Sequence, residues 1–489
     1  MSRTTSHPTL PGQTAVRTDV GQALHDLSRV MPALHLPGTE AYAAAVTPWN
    51  VAVPVHPLAV VEARTAADVR TAVRFGQRHR VPVAVQATGH GVTATLEGAL
   101  LVSTRAMTGL TVHPEGAWAR AEAGVKWEQV LQACAPHGLA GLAGSAPDVG
   151  VVGYTTGGGV GPLARTHGLA SDRVRAFEVV TGDGELRRAT PTEHPDLFWG
   201  LRGGKGALGI VTAVEFDLLP VRDLYGGAVY FDGADASAVL QCWASWCAGL
   251  PREATTSVAL LRLPQLPSVP PPLAGRLTVA VRFAWTGTVA RGEEVLAPVR
   301  SVATPIVDTV APMPYAALGA IHADPVDPMP THEEHALLAA LPAAAVDRLL
   351  DLAGPGANCP QVMVELRQLG GAMSGTARVP SAFCHRDAAF SLMVIGLAVP
   401  PLVAAVTAHG TALLQAMDEW TSPGGLPNFA PRDDAAWMQR TYDPAVLQRL
   451  RRISAAYDPH GVLRAAAALR EAVPASRPLR GLRALLPTR

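Results

Sequence analysis

A glycine-rich stretch between Val149 and Gly161 carries the densest chemical signal in the chain. It reads Val-Gly-Val-Val-Gly-Tyr-Thr-Thr-Gly-Gly-Gly-Val-Gly and holds six glycines. Glycines cost backbone entropy on folding, so this segment must need positive φ angles or close backbone approach. Backbone N–H groups exposed in this way cradle phosphate oxygens. The stretch therefore predicts a phosphate cradle, with an ordinary glycine-rich turn as the alternative.

A second loop, Thr88-Gly89-His90-Gly91, follows a predicted strand at Val81–Ala87. The residues from Gly89 fit the dinucleotide pattern G-x-G-x-x-A, and so do the residues from Gly159. Neither match opens an amphipathic helix, and the first lacks the acidic residue expected about 20 positions later. A Rossmann dinucleotide site is therefore disfavoured.

Two further motifs resemble sites of other enzymes but lack the required context. In His332-Glu333-Glu334-His335 the histidines are three positions apart, whereas the zinc protease pattern needs four. Thr331 and Glu334 fit a capping box, so we interpret this run as a helix N-terminus. His385-Arg386-Asp387 is similar to a kinase catalytic loop, but no nucleotide loop with its lysine accompanies it. We predict no metal site.

The composition indicates an ordinary globular protein of about two domains. The 489 residues are 48% hydrophobic and 16% charged, with a formal net charge of zero. This balance gives no reason to expect nucleic acid or a membrane as partner. The first 20 residues lack an apolar segment, no run of about 18 apolar residues occurs, and the five cysteines form no CxxC pair. We expect a cytoplasmic monomer or homodimer.

Lysine is rare among the basic residues. Lys126 and Lys205 are the only lysines among 40 lysines and arginines. We attribute this bias to a GC-rich genome rather than to chemistry.

The elements that position the two loops alternate between strands and short helices from about 54 to 220. Thr65 and Asp68 predict a capped helix start. A helix from about Trp127 should stop at Gly138. Gly182-Asp183-Gly184 predicts a hairpin between Arg175–Val180 and Glu185–Ala189.

From about Val221 to Trp420 glycine becomes rarer and a second α+β region is predicted. Strands are expected at Leu277–Phe283, Val362–Leu369 and Phe390–Leu397, and helices at Ala336–Leu352 and Leu402–Met417.

Several motifs together resemble the berberine-bridge-enzyme-like branch of the flavoproteins that share the vanillyl-alcohol-oxidase fold. They cover most of the chain in the family's order. They are Trp49-Asn50, the loop Gln86 to Gly91, Gly153 to Gly161, Arg165 to Asp172, Leu197 to Gly204, Leu208 to Thr212, Asn428-Phe429 and Tyr457-Asp458-Pro459.

This resemblance implies an α+β fold with a PCMH-type FAD-binding domain and a substrate domain built on an antiparallel sheet. The FAD-binding domain would span residues 47–222. The substrate domain would span 223–420, and 421–475 would return to the FAD-binding domain. Residues 476–489 would form a basic tail.

The resemblance also implies FAD bonded covalently through its 8α-methyl group to His90, the histidine of the family's loop. A second, cysteinyl bond is not expected, because Ala146 stands in the cysteine position. Gln86 replaces the family's usual arginine. The implied cofactor-binding residues are Gln86, Ala87, Thr88, Gly89, His90, Gly91, Val149, Gly150, Gly153, Tyr154, Gly157, Gly158, Gly209, Ile210, Val211 and Asn428.

The catalytic base is not given by the resemblance. Leu426 stands in the position of the family's Tyr in Y-x-N, and Val394 stands at about the position of the acid used by other members. The replacements that we consider are Tyr154, Glu365 and His385, with Gln368 and Tyr442 as further possibilities. For each of these residues an ordinary structural role is the alternative.

The function implied is an FAD-dependent oxidase. It would take hydride from an alcohol, an amine or an activated C–H bond of a fairly apolar, secondary-metabolite-like small molecule, and pass the electrons to O₂. One alternative is a dehydrogenase with another electron acceptor. Another is a flavoprotein that catalyses a non-redox step such as cyclisation or only holds a ligand.

Overall fold

The computed structural model describes residues 11–94, 96–267, 269–375 and 377–472. These residues form three sheets of four, nine and five strands. The proposed basic tail, 476–489, lies outside the described residues. None of the helices in the described part is both long and apolar enough to cross a membrane.

The four-stranded sheet carries the histidine loop. Three of its strands run parallel, Ala59–Glu62, Leu100–Ser103 and Val83–Gln86, and Leu34–His35 adds an antiparallel edge. Helix Ala66–His79 packs on this sheet and begins with the predicted capping box between Thr65 and Asp68. The predicted strand therefore ends where the His90 loop begins.

The five-stranded sheet is antiparallel and lies beside the first. In order its strands are Leu110–His113, Trp118–Glu122, Ile210–Asp217, Val174–Val180 and Leu186–Ala189. The predicted hairpin is confirmed, because the last two strands pair antiparallel. Helix Trp127–Cys134 continues through a 3₁₀ turn and ends at Gly138, whose φ of 64° suits glycine.

The nine-stranded sheet is antiparallel throughout and forms the second α+β region. Its strands are Val307–Asp308, Asp223–Asp232, Leu277–Trp285, Ala254–Arg262, Gln361–Gln368, Phe390–Leu397, Thr331–Leu338 and Thr421–Ser422 in sheet order, with Ala311–Pro314 beside Asp223–Asp232. One face is covered by the helices Ala236–Cys247, Val289–Arg300, Ala343–Ala353 and Val403–Ala416.

The opposite face of this sheet is turned toward the glycine-rich stretch. Side chains alternate along each strand, so Val364 and Leu366 pack under the helices while Glu365 and Arg367 point the other way. Arg165, which follows the glycines, donates to the backbone carbonyls of Ala254 and Leu369 in the large sheet. The two regions are thus joined at the place where the glycine-rich stretch ends.

The predicted helix N-terminus at Thr331 is wrong. Thr331–Leu338 is a strand that pairs with Phe390–Leu397 along its whole length, and the helix that follows is Ala343–Ala353 rather than Ala336–Leu352. The capping pattern is local, whereas the partner strand satisfies the backbone groups that point toward it along the whole segment. Tertiary pairing therefore overrides the local preference.

The C-terminal segment returns to the first region. Helices Ala435–Thr441, Pro444–Tyr457 and Ala467–Glu471 pack into the core around Phe177 and Phe198. Leu463 forms a backbone bridge with Val83. The domain boundaries implied by the resemblance stay predictions.

The remaining helices are Pro11–Val30, Glu40–Val46, Val151–Thr156, Ala164–His167 and Pro195–Leu201.

Candidate functional site

His90 is held on three sides in the loop after strand Val83–Gln86. Its Nδ1 lies 2.8 Å from Thr88 Oγ1, and its Nε2 lies 3.2 Å from Asp148 Oδ2. Trp49 stacks on the imidazole with ring centroids 4.9 Å apart. Gly89 has a φ of 82°, and a Cβ there would overlap Pro48. The loop therefore presents one imidazole in a fixed orientation.

Asp148 was not predicted and is the charged neighbour of this histidine. Its side chain is 9% exposed, and Oδ1 has no hydrogen-bond partner among the described residues. The contact with His90 Nε2 is close but not aligned as a hydrogen bond, so it is electrostatic. A buried carboxylate oxygen without a donor is costly. The pair therefore has unused hydrogen-bonding capacity beside the loop.

Three predicted glycines border open space next to His90. A Cβ on Gly153 would meet no atom within 4 Å, one on Gly91 would meet only Lys205 Nζ at 3.9 Å, and one on Gly150 would have Ala87 Cβ at 3.6 Å. The backbone here can be approached closely from outside. This groove, defined by Gly91, Gly150 and Gly153, fits a phosphate-bearing cofactor.

The later glycines of the stretch serve packing. A Cβ on Gly157 would overlap Asn428, one on Gly158 would overlap Phe383, and one on Gly161 would overlap the carbonyl of Ala143. The amides of Gly157 and Gly158 both donate to the carbonyl of Thr155. Their predicted contact with the cofactor stays a prediction, and close packing explains why glycine occurs there.

Asn428 closes one end of the groove together with a lysine. Asn428 Nδ2 donates to the carbonyl of Tyr154 at 2.8 Å, and Lys205 Nζ donates to Asn428 Oδ1 at 2.6 Å. Lys205 Nζ also lies 3.5 Å from the carbonyl of Gly153. Burial lowers the pKa of Lys205 to about 8. The predicted Asn428 thus reaches the glycine-rich stretch, and Lys205 is an addition that the sequence reasoning missed.

The other predicted cofactor residues surround the groove less directly. Gln86 is buried and donates to the carbonyl of Val46 at 3.4 Å. Arg105, rather than Gln86, supports the loop by donating to the carbonyl of Ala87 at 2.7 Å. Gly209 directly precedes strand Ile210–Asp217 of the five-stranded sheet, and Ile210 and Val211 are the first residues of that strand. Val149 accepts from the amide of Trp127.

Tyr154, a candidate catalytic residue, lies inside the core. It is 8% exposed, its ring packs edge-on to Trp127 with centroids 5.7 Å apart, and its hydroxyl has no partner among the described residues. Burial raises the pKa of Tyr154 strongly, with a smaller contribution from Tyr315. A neutral phenol of this kind is a poor base.

Glu365, the second candidate, belongs to a buried charged cluster on the face of the large sheet. Its carboxylate lies 2.7 Å from Arg282 and 3.1 Å from Arg367, and His322 Nε2 is 3.6 Å away. Burial opposes ionisation, but the guanidinium groups and His322 hold the pKa of Glu365 well below its usual range. The cluster makes Glu365 an ion-pair partner rather than a proton acceptor.

His385, the third candidate, lies in a different place. It lines a cavity of 570 Å³ together with Tyr442 and Arg440, and its Nε2 is 3.1 Å from the carbonyl of Thr441. Tyr442 donates to the carbonyl of Gly203 at 2.8 Å. Of the three candidates, Tyr154 and Glu365 share Arg367 as a charged neighbour, whereas His385 lines this separate cavity.

A thiol and a carboxylate accompany His385. Ligand atoms of Cys384, His385 and Asp443 lie within 4.8 Å of one another, which is a spacing that a metal ion could use. Burial raises the pKa of the Cys384 thiol to about 12, and metals bind the thiolate. The expectation of no metal site therefore stays a prediction.

One carboxylate and one imidazole, those of Glu333 and His335, face the His90 side, although the sequence analysis interprets their segment as a helix N-terminus. On strand Thr331–Leu338, Glu333 and His335 point to the face opposite the helices, while Glu334 pairs with His332 at 3.3 Å. Burial raises the pKa of Glu333, and His90 is among the charges that oppose this shift. Burial lowers the pKa of His335 to about 3. Only the strand assignment reveals these orientations.

Comparison with known proteins agrees with this geometry. Residues 57–190 match the family model described as an FAD binding domain. The chain is 24% identical over 86% of its length to the FAD-linked oxidoreductase YgaK of Bacillus subtilis, covering 93% of that protein. It is 33% identical to (R)-6-hydroxynicotine oxidase of Paenarthrobacter nicotinovorans over 35% of this chain and 38% of that one.

Coverage of the relatives varies. An FAD-linked oxidoreductase of Dictyostelium discoideum is 26% identical, and the chain covers 60% of it. Among solved structures, 6-hydroxy-D-nicotine oxidase of Arthrobacter nicotinovorans superposes with a TM-score of 0.77 at 23% identity, over 88% of this chain and 96% of that one. The BBE-like 1 protein of Physcomitrella patens gives 0.77 at 18% identity, over 91% and 97%. The expected α+β fold is confirmed.

Proposed function

We propose that this FAD-linked oxidoreductase is an oxidase with its flavin bonded to His90. It would remove hydride from a fairly apolar small molecule and pass the electrons to O₂. The observation that carries the proposal is the groove of Gly91, Gly150 and Gly153, which opens beside an imidazole held by Asp148 and Thr88. A bound FAD supplies the hydride acceptor, and the chain supplies binding, orientation and electrostatics.

Covalent attachment is supported by the surroundings of His90. His90 would hold the flavin through a bond from an imidazole nitrogen to the 8α-carbon, with the displaced proton taken up by a neighbouring base and the two released electrons taken up by O₂. When one imidazole nitrogen becomes bonded, positive charge develops on the ring. The Asp148 carboxylate, 3.2 Å from Nε2, is placed to stabilise this charge or accept the proton. Thr88 and Trp49 fix the ring while this happens.

The proton acceptor for substrate oxidation is assigned to none of the three candidates. Val394 packs under the helices and Leu426 packs in a core with Phe383, so these familiar base positions do not offer a polar group. Glu333 and His335 lie on the sheet face turned toward the His90 side. We propose Glu333 as the first group to replace when the base is sought, because catalysis needs a proton acceptor with a pKa near the working pH and burial raises the pKa of Glu333.

The names of similar proteins support an oxidase. The relatives include (R)-6-hydroxynicotine oxidase, and the similar structures include a chitooligosaccharide oxidase of 20% identity and a TM-score of 0.77. Those substrates belong to those proteins. Leu426 and Val394 pack in cores of the protein, so the proposal of a fairly apolar substrate rests on the sequence analysis and not on these two side chains.

The test is spectroscopic. The purified protein should be yellow, and the colour should stay with the protein after acid precipitation. His90→Ala should release the flavin into the supernatant, and a flavin still bonded in that variant would refute the assignment. Anaerobic addition of a metabolite panel should bleach the flavin with a true substrate, which a non-redox function would not do. Rapid recovery of the colour in air would then support an oxidase, and slow recovery would indicate another acceptor.

A further inference from the structure

Lys205 differs from the other lysine of the chain in the partners of its amine. Lys126 is half-buried at the start of helix Trp127–Cys134, and its amine lies 3.5 Å from the Glu128 carboxylate. Lys205 is half-buried, and no carboxylate among the described residues lies within ion-pair distance of its amine. Burying part of an ammonium group without a counter-charge is unfavourable. We therefore expect an anion to bind beside the Lys205 amine.

The backbone at Lys205 adds a second observation. Lys205 has a φ of 57°, a left-handed conformation that side chains disfavour, and it lies between Gly204 and Gly206. Glycine would fit this conformation without strain. Ala117, Ala323 and Ala430 also have positive φ angles, so the strain draws attention to Lys205 and the contacts of its side chain must assign the role.

The contacts of the side chain show where the Lys205 amine lies. The amine contacts Asn428 Oδ1 and the carbonyl of Gly153, and it is the one neighbour that a Cβ on Gly91 would meet. It thus lies where the His90 loop and the glycine-rich stretch face each other. On the loop side Arg105 is engaged by the carbonyls of Ala87 and Ala44, so its guanidinium is not turned toward the groove.

We propose that the Lys205 ammonium group binds the diphosphate of FAD in the groove of Gly91, Gly150 and Gly153. This inference rests on the proposed function, because that function puts FAD in the groove. The backbone amides bind phosphate oxygens without full charge, and Lys205 supplies the positive charge. Asn428 orients the amine by accepting one of its three hydrogens. We attribute the rarity of lysine to genome composition, but under this proposal one of the two lysines has a functional role.

The experiment uses the His90→Ala protein, so that binding is reversible, and compares Lys205→Gly with Lys126→Gly. Glycine removes the charge and also the backbone strain, so thermal stability without flavin should not fall. FAD should bind roughly 10- to 100-fold more weakly to the Lys205→Gly protein, while riboflavin, which lacks the diphosphate, should bind both proteins alike. Lys126→Gly should leave FAD binding unchanged.

The outcomes separate the two proposals. If neither the wild-type chain nor His90→Ala binds FAD, the proposed function fails. If FAD binds and Lys205→Gly binds it as tightly as its parent, only the lysine assignment fails. An equal loss for FAD and riboflavin would also overturn it, because the amine would then face the ring system or the ribityl chain. Should His90→Ala fail to bind while the wild type is yellow, the flavin content of wild type and Lys205→Gly decides in the same way.

A pH series tests the assignment of Lys205 independently. The diphosphate should raise the pKa of the amine above its value of about 8 in the free protein. FAD affinity should therefore be constant below about pH 8 and fall between pH 8 and 10. The fall should vanish in Lys205→Gly. The same fall in both proteins would contradict the assignment.

Discussion

Replacing Asp148 by Asn should slow the attachment of the flavin to His90 without unfolding the protein. The carboxylate lies 3.2 Å from His90 Nε2, and its side chain is 9% exposed. Asn has the same shape but no charge, so the change removes the electrostatic stabilisation of the imidazole as it becomes positive. Oδ1 has no donor in the described structure, so folding loses no hydrogen bond there.

The size of the effect follows from this geometry. Two unit charges about 3 Å apart attract by roughly 5 kcal/mol at an effective dielectric constant of about 20. The net value is smaller, because the contact is not aligned as a hydrogen bond and the carboxylate loses solvation in both states. We take about 2 kcal/mol, typical of a hydrogen bond to a charged group, which corresponds to roughly 30-fold slower attachment.

The assay follows bonded flavin with time. Protein produced without flavin is mixed with FAD, samples are denatured at intervals, and the flavin fluorescence that stays with the chain is measured. Asp217→Asn is the matched control, because it makes the same chemical change in an exposed ion pair with Arg175. Attachment at the wild-type rate in Asp148→Asn would refute the role given to the carboxylate.

Four further predictions concern packing, cofactor binding and charge. Gly161→Ala should destabilise the fold by about 1–3 kcal/mol in urea unfolding, because its Cβ would overlap the Ala143 carbonyl. Gly153→Ala should leave stability unchanged or slightly higher but weaken FAD binding measured by titration, and equal behaviour of the two variants would contradict the division of the glycines. Glu365→Gln should lower the free energy of unfolding by about 3–5 kcal/mol, since two guanidinium groups lose their carboxylate. Because the pKa of Glu365 is depressed in the folded protein, its contribution to stability is present above about pH 4.5 and is lost as the pH falls below that. His335, whose pKa is lowered to about 3, should make stability fall as the pH drops from about 6.5 toward 3, because the unfolded chain binds the proton first; a His335→Gln protein with the same pH slope would show that another group is responsible.

The sequence by itself determined the features that short stretches encode. The capped helix at Thr65, the helix end at Gly138 and the hairpin around Asp183 depend on neighbours a few residues away, and all three are present. The loop of His90 follows a strand, as the sequence predicted. The motif order also indicated the α+β fold, because the resemblance covers most of the chain.

Only the tertiary structure decided which groups meet at the site. Asp148 is 58 positions from His90, and Lys205 is 223 positions from Asn428 in the chain, yet each pair is in contact. The segment at Thr331 became a strand because a distant strand pairs with it, which turned Glu333 and His335 to the same face. Tyr154 looked available on its loop and is buried instead. A residue's partners, burial and pKa depend on segments brought together by folding, and local sequence carries no record of that meeting.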